Sequence, residues 1–528
     1  MKRLTDGHSA STSPSNSRSL GGVVRTGRLI IVAGLLAAFP ATAESLADAI
    51  AAAYQSNPTL QSQRALLMSA DEGYVQARAA LGPTVSLEGT ATHTQTRFGY
   101  LSPTEANNGN VQLTLSQSLY SGGRAALNVS AAEAHIAAAR EVLRIAEGNV
   151  ILAVVQAYAD VIRDAAALGV REQNVQVLTD EVKESHAREH AGEITRTDVA
   201  QAETQLAGER ALLSTSRGQL QVSRAAYATV VGQNPGALDP YPPLPGLPHT
   251  IDDAFSRADR DSPELLQARF TEIESEDRVR VARAVNRPTI LVGVVAGYSG
   301  PITPFSEQAI QRAVTGQVTV TQPLFTNGLN GSLIRQALDQ NTSDKIAIET
   351  SRRSVVQTIA NAWNQMLVSG DNVAFQRENV RAAQVAFTGM RIEQRAGQRA
   401  TLDVLITEQN LVNAQLLLLA AQHDQYVAEA ALLRSIGRLE GAYLIANLPI
   451  YDPAAHLRRV SRRGVAPWTP ITRAIDSLGA PGVGRRPAVG PSVIAAPAAL
   501  APASPPPAGA LIETLPTSPS SAASASRR

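Results

Sequence analysis

Two regions of the chain alternate apolar and polar residues on both sides of a polar loop. They span about residues 83–120 and about residues 288–325. In the first region, Val111, Leu113 and Leu115 alternate with polar side chains. A period of two on either side of a polar loop is typical of a β-hairpin. The pattern therefore predicts two hairpins, and each arm has the roughly 9–11 residues that a membrane-spanning strand requires.

Each predicted hairpin is followed by a long stretch without proline. No proline occurs within 104–234 or within 324–448, and proline is excluded from helix interiors. We predict long helices over about 124–191 and about 329–396, each on the order of 100 Å long. Return helices are predicted over 197–232 and 402–437.

The second return helix carries two lines of apolar residues at heptad spacing. One line is Leu405, Val412, Leu419 and Tyr426, and the other is Val404, Leu411, Leu418 and Leu432. Each line is a seam for one neighbouring helix. Two seams therefore indicate a neighbour on each side, as in a closed ring of helices.

These elements occur twice, at a constant offset of 205 residues. Pro58 matches Pro263 at this offset, and Gly123 matches Gly328. A long repeat with constant spacing indicates a duplicated unit of several elements. We assign a first repeat to 44–234, a proline-rich linker to 235–251 and a second repeat to 252–440. Each repeat opens with a helix that a proline breaks near its start.

The two ends of the chain differ in composition from the repeats. Residues 1–43 contain several arginines, an apolar run and small residues before Glu44, which is typical of a secretory signal peptide. Residues 441–528 form a predicted periplasmic C-terminal segment. Its abundant proline, alanine and serine predict disorder from about residue 464.

Composition and motifs exclude several functional classes. The chain has 47 basic and 46 acidic residues, a formal charge of +1, and so lacks the basic excess of a nucleic-acid-binding protein. It contains no cysteine, which excludes disulfides, cysteine-bound metals and thiol catalysis. His186 and His190 lie four residues apart, but no third metal ligand accompanies them. We therefore predict no enzyme active site, no metal site and no cofactor.

Glycines mark the places where the chain must change direction. Gly192 and Gly397 are predicted to end the two long helices, where a left-handed residue is favoured. Gly122, Gly123 and Gly328 are predicted to form the bends from strand to helix, because glycine tolerates positive φ.

Four strands in one chain do not form a closed membrane barrel. Bacterial barrels begin at eight strands, and an open sheet edge has no hydrogen-bonding partner in lipid. Several chains must therefore pool their strands, and three chains would supply twelve.

The segments at the two predicted turns between long and return helices resemble those of a known family. The segment 395–405, Arg-Ala-Gly-Gln-Arg-Ala-Thr-Leu-Asp-Val-Leu, together with Asn413-Ala414-Gln415, resembles the TolC family of outer membrane channels. Residues 191–199 resemble the same segment of that family's first repeat. The similarity covers about residues 44–439.

The resemblance implies a mainly α-helical fold with a membrane β-barrel. It implies a homotrimer in the outer membrane of a Gram-negative bacterium, with a shared twelve-stranded barrel in outer membrane lipid. A long barrel of antiparallel coiled coils would continue it into the periplasm. The implied partners are a periplasmic adaptor protein and an inner-membrane transporter, either an ABC transporter or a proton-driven one.

The resemblance also implies a gate at the periplasmic turns. Matching positions assign gate links to Thr197, Asp198 and Arg399, and a constriction ring to Asp403. Two positions depart from the family pattern, since Gln394 replaces a tyrosine and Ile406 replaces a second ring acid. A weaker gate with one carboxylate per chain is therefore expected. Helix capping is the alternative interpretation of the residues at these turns.

The predicted function is a passive exit duct of a tripartite type I secretion or efflux system. Similarity around residues 402–439 to secretion-type members favours protein export, and small-molecule efflux is the alternative. A structural coiled-coil envelope protein is a more distant alternative. It would explain the heptads but not two hairpins at equivalent positions.

Overall fold

The structure is a computed structural model that describes residues 44–100, 102–303, 305, 307–445 and 449–480. The predicted signal peptide and the tail beyond residue 480 lie outside the described residues. Within the described part, helices predominate and four strands form one antiparallel sheet. The prediction of a mainly α-helical chain is therefore confirmed.

The first half of the chain contains four helices and two strands. They are α1 (Leu46–Ser56), α2 (Pro58–Ala79), β1 (Pro83–Thr96), β2 (Thr104–Tyr120), α3 (Arg124–His190) and α4 (Arg196–Val231). The second half repeats this order. Its elements are α5 (Ile251–Asp261), α6 (Pro263–Ala284), β3 (Thr289–Thr303), a 3₁₀ turn (Glu307–Ala309), β4 (Gln311–Thr321), α7 (Leu329–Arg395) and α8 (Thr401–Ser435). Three short helices follow, namely α9 (Gly441–Leu444), α10 (Ala455–Val460) and α11 (Thr469–Ser477).

The second hairpin ends earlier than the sequence predicts. Strand β4 ends at Thr321, whereas the prediction ran to about residue 325. Pro323 has no backbone N–H to donate to the sheet, so pairing stops before it.

Residues with positive φ form both bends from strand to helix. Gly122 and Gly123 have φ of 73° and 88°, and Asn327 and Gly328 have φ of 49° and 82°. A residue with a side chain is strained in this region unless it is asparagine or aspartate. The second copy therefore keeps the same bend although Asn327 replaces the first glycine.

The sheet has one apolar face and one polar face. In the pairing of β1 with β2, Val85 lies opposite Leu115 and Leu87 lies opposite Leu113. These four side chains share one face and are exposed in the single chain. On the other face Gln112 donates a hydrogen bond to Glu88 (3.1 Å). Because the strand order is β1-β2-β3-β4, β1 and β4 each leave one edge unpaired within the chain.

The two long helices differ in how many neighbours they have. Helix α3 packs against α2 and α4 and also against α6 and α8, whereas α7 packs mainly against α6 and α8. Both helices have 67 residues, but 24 residues of α3 are buried and only 7 of α7. One face of α7 is therefore left open within the chain.

The main hydrophobic core lies where the middle of α3 meets the short helices and the ends of the return helices. Tyr158 of α3 and Tyr227 of α4 are fully buried in it. The Tyr158 hydroxyl donates to the Asp239 carbonyl (2.8 Å), and the Tyr227 hydroxyl donates to the Glu44 carboxylate (2.7 Å). These bonds attach the start of the chain and the linker to the same core.

Length and composition alone would allow α3 and α8 to cross a membrane. Each contains a sufficiently apolar 18-residue window, but half of that window in α3 (50%) is buried inside the protein. The apolar stretch of α3 passes through the main core, as a core helix does.

The prediction of disorder from about residue 464 is wrong for residues 464–480. Helix α11 forms there, and its Asp476 carboxylate accepts hydrogen bonds from the backbone N–H groups of Ser121 (2.6 Å), Gly123 (3.2 Å) and Ala126 (3.0 Å). The first amides of a helix have no partner within it, and Gly123 has no side chain to cap them. Composition could not reveal α11 because this cap comes from tertiary contact.

Two glycine substitutions should separate backbone strain from loss of α11 docking. Alanine at position 123 would place its Cβ 2.5 Å from the Gly479 carbonyl oxygen, whereas alanine at position 328 meets nothing within 4 Å. Both positions have positive φ, so both variants carry a similar strain of roughly 1–2 kcal/mol. We expect Gly123→Ala to speed tryptic cleavage after Arg473, within α11, by comparison with Gly328→Ala. Equal cleavage rates in both variants would contradict this account of α11.

Candidate functional site

The two turns at the far ends of the long helices share the same backbone geometry. At the end of α3 the Gly192 N–H donates to the Glu189 carbonyl and the Glu193 N–H donates to the Arg188 carbonyl, both at 2.9 Å. Gly192 has φ of 76°, and Gly397, at the end of α7, has φ of 74°. These are Schellman turns, which require a left-handed residue.

Helix α4 begins with a capping box. The Thr195 hydroxyl accepts a hydrogen bond from the Asp198 N–H, and the Asp198 Oδ2 accepts one from the Thr195 N–H (2.9 Å). This hydrogen bond from the Thr195 backbone holds the pKa of Asp198 below its usual range. The capping interpretation therefore applies to Asp198, but the capping residue is Thr195 and not Thr197.

Helix α8 begins without such a cap. Ala400 occupies the position that corresponds to Thr195, and no side chain caps the helix. Asp403 corresponds to Asp198, but its carboxylate accepts no hydrogen bond from the described residues. The loss of one threonine thus leaves the second aspartate free for another role.

Arg399 contacts its own turn. Its Nε donates to Glu393 Oε2 (2.8 Å), and this bond, together with the charges of Glu393 and Asp403, raises the pKa of the guanidinium. Its terminal nitrogens form no hydrogen bond with the described residues. Within the described part of one chain, Arg399 forms no hydrogen bond with Thr197 or Asp198 and no ion pair with Asp198.

A cleft separates the first turns of α4 and α8. It has a volume of about 500 Å³ and is lined by Thr197 on α4 and by Leu402 and Ile406 on α8. Deeper along the two helices, Gln205 donates a hydrogen bond to Gln409 (2.9 Å). The structure therefore places Thr197 opposite α8, whereas Asp198 and Arg399 do not line the cleft.

Three buried glutamates lie next to this end of the helices. Glu181 of α3, Glu209 of α4 and Glu408 of α8 are each less than a tenth exposed. Gln394 donates to Glu181 (3.1 Å), and Arg171 forms an ion pair with Glu209 (2.9 Å). Gln394 therefore links α7 to α3.

Glu408 is the least compensated of the three. Its Oε1 has no hydrogen-bond partner among the described residues. Burial, together with the charges of Glu181 and Glu209, raises its pKa to about 7, although the charge of Arg391 opposes this shift. Glu408 is not among the site residues predicted from the sequence. The available signal was an acidic residue within the heptad seam, four residues after Val404 and three before Leu411.

A protein-family model described as "Outer membrane efflux protein" matches the chain twice, over residues 49–233 and 254–438. Both ends of the second match lie 205 residues after the corresponding ends of the first. The chain belongs to the outer membrane efflux protein family.

Individual relatives agree with this assignment. The chain is 32% identical to the outer membrane efflux protein BepC of Brucella suis over 433 residues, which are 82% of this chain and 94% of BepC. It is 24% identical to the outer membrane protein TolC of Escherichia coli, over 83% of this chain and 91% of TolC. The solved CmeC outer membrane channel of Campylobacter jejuni matches with a TM-score of 0.66 at 13% identity, over 79% of this chain and 89% of CmeC. At that identity the CmeC match supports the fold alone.

The predicted resemblance and location are therefore confirmed. This family member is an outer membrane protein of a Gram-negative bacterium and extends into the periplasm. The family consists of efflux channels rather than enzymes.

Replacing Glu408 should stabilise the protein by an amount that grows as the pH rises from about 4.5 to about 7 and is complete above that range. Because the folded pKa is raised from 4.5 to about 7, ionisation destabilises the fold as pH rises through this window, and the full effect is present above it. A shift of this size corresponds to roughly 3 kcal/mol. We expect Glu408→Gln to raise the unfolding midpoint at pH 8 but to change it little at pH 5.

The matched control is Glu203→Gln. Glu203 occupies the equivalent position in the first repeat, but its side chain is exposed and lies beside His186. Thermal unfolding followed by circular dichroism should show no comparable pH-dependent gain in this variant. An equal gain in both variants, or none in Glu408→Gln, would contradict the role assigned to burial.

Proposed function

We propose that this protein is the passive outer membrane exit duct of a tripartite transport system. Three copies of the chain form the duct, and an inner-membrane transporter supplies the energy through a periplasmic adaptor protein. Membership of the outer membrane efflux family supports a channel.

The open face of α7 supports the proposal of a trimer. Helix α3 has neighbours on both sides within the chain, but α7 has them on one side only. Large apolar side chains remain exposed along α7, among them Ile346, Phe375 and Ile392. A second copy that presents its α2 and α4 to this face would give α7 the surroundings that α3 already has. Three such contacts close a ring.

The sheet supports the same symmetry. Its unpaired β1 and β4 edges lie on opposite sides of the sheet, and in lipid their backbone groups would have no water to bind. Joining β4 of one chain to β1 of the next satisfies both edges. Three chains then form a closed barrel of twelve strands, with the apolar face toward lipid and the polar face toward the pore.

We place the periplasmic gate at the turns of this ring. Thr197, Asp198 and Arg399 are the proposed links, and Asp403 forms the constriction ring. Asp198 uses only Oδ2 in its capping box, and Arg399 uses only Nε toward Glu393. The remaining oxygen and the terminal nitrogens are therefore available for a link between adjacent hairpins or chains.

For the cargo, we propose small molecules as the first candidate. BepC is described as an efflux protein, and so is the family as a whole. Protein export is the second candidate, and the similarity of residues 402–439 to secretion-type members is the observation that favours it. Loss of a secreted protein from a deletion strain with unchanged drug sensitivity would favour that candidate.

The proposal predicts a conducting trimer. The purified protein should migrate in unheated detergent gels at about three times the mass of its chain without the signal peptide, which is below the 55.6 kDa of the full sequence. It should also open discrete conductance steps in planar bilayers. A coiled-coil envelope protein would produce oligomers without conductance. Trimers that never conduct would therefore contradict the duct.

Removing a gate link should raise leak conductance. A trimer contains three copies of each link, so removing the link should shift the balance between closed and open gates toward the open state. We expect this increase in bilayers for Arg399→Ala. The control is Arg381→Ala, which removes an exposed pair with Glu378 within α7, away from the turn that holds Arg399.

Asp403→Asn should instead lower cation selectivity without raising the leak, because it removes a ring charge and no link. If the Arg399→Ala and Arg381→Ala channels show the same leak conductance, the gate assignment fails.

A further inference from the structure

Helix α11 presents its apolar residues outward and its polar residues inward. Thr469, Thr472 and Asp476 are buried. The exposed apolar residues are Trp468 (46% exposed), Ile471 (62%), Ile475 (38%) and Leu478 (82%). Their spacing of three, four and three residues places them on one helical face. An amphipathic helix packed on a protein in water has the opposite orientation, so this face requires a partner.

Hydrogen bonds of the polar face fix this orientation. The Thr472 hydroxyl donates to the Leu81 carbonyl (2.9 Å), and the Asp476 carboxylate binds the first amides of α3. Rotation that turned the isoleucines inward would break these bonds and leave buried amides unpaired. The apolar face is therefore held outward.

The helix lies at the edge of the apolar sheet face. The Trp468 indole N–H donates to Gln117 Oε1 (3.2 Å). Gln117 follows Leu113 and Leu115 at steps of two, so all three share the face that the proposed barrel turns toward lipid. Tyr120 ends β2 and the long helix α3 begins at Arg124, so Trp468 lies at the periplasmic end of the strand.

A neighbouring chain does not explain this face as well as lipid does. Trp468 contacts β2, an interior strand, whereas neighbouring chains join at the edges of β1 and β4. Charge also favours lipid. Arg459, Arg462 and Arg463 precede α11, are exposed and form no ion pair with the described residues. Exposed arginines beside an apolar helical face are typical of binding to anionic lipid headgroups.

We propose that residues 459–478 bind the inner, periplasm-facing leaflet of the outer membrane. Helix α11 lies in the interface with its apolar face in the acyl region, Trp468 lies at headgroup depth, and the three arginines contact lipid phosphates. This inference rests on the proposed duct, because the barrel sets the depth of the membrane. It assigns α11 two roles, capping α3 and anchoring the protein at the leaflet.

Tryptophan fluorescence tests this placement. The chain has two tryptophans, and Trp363 is half-buried beside the main core. The Trp363→Phe variant therefore reports on Trp468 alone, and the Trp468→Phe variant is the matched control. Both proteins are reconstituted in vesicles of phosphatidylcholine and phosphatidylglycerol that contain brominated lipid.

We expect bromine near the headgroup end of the acyl chains to reduce Trp468 emission about twofold, as for a residue in the interface. Bromine near the chain ends should reduce it less, and Trp363 should be unaffected. Adding Ile471→Ser and Leu478→Ser to the Trp468 reporter should weaken the quenching, since both side chains are exposed and support no core.

Conductance of the same vesicle preparation distinguishes the two proposals. A preparation that conducts but shows no lipid quenching of Trp468 overturns the membrane contact and leaves the duct intact. Trp468 that is shielded from aqueous acrylamide yet unquenched by lipid assigns the face to a neighbouring chain and also overturns the inference. A preparation that does not conduct counts against the duct itself.

Discussion

The bend from strand to helix connects the sheet to the rest of the protein. At Gly122 and Gly123 the chain leaves β2 and enters a 67-residue helix through two consecutive residues with positive φ. Such a bend leaves the first amides of the helix without internal partners. In the first repeat, Asp476 from the far end of the described chain accepts three backbone hydrogen bonds there. The bend thus fixes the start of α3, the position of α11 and the end of the sheet together.

The duplication matters most where the two copies differ. Thr195 caps α4 together with Asp198, but Ala400 leaves Asp403 uncapped at the equivalent place in α8. Glu203 is exposed, whereas its counterpart Glu408 is buried and has a raised pKa. Helix α3 is enclosed and α7 is open on one side. Each difference removes an interaction within the chain and leaves a group available for another chain, an ion or a proton.

Much of the fold could be predicted because its signals are local and long. Alternation over a dozen residues, proline-free stretches and repeated glycines predict elements whose positions agree with the structure to within a few residues at most ends. The turn residues could also be predicted, since Gly192 and Gly397 end helices where a left-handed backbone conformation favours glycine. Glu408 and α11 were missed for a shared reason. Composition identifies Glu408 as polar and the segment around α11 as low in complexity. The burial of Glu408 and the folding of α11 depend on residues far away in the chain.

The sequence by itself therefore determined the duplicated plan, the helical and strand elements and the glycine bends, because these depend on neighbours within a few residues. Tertiary structure decided which of two equivalent residues is buried, capped or free. It raised the pKa of Glu408 through burial, and through the charges of Glu181 and Glu209, which come from other helices. It also turned the polar face of α11 inward, because hydrogen bonds to unpaired amides of α3 outweigh the burial of a few apolar side chains that lipid can cover instead.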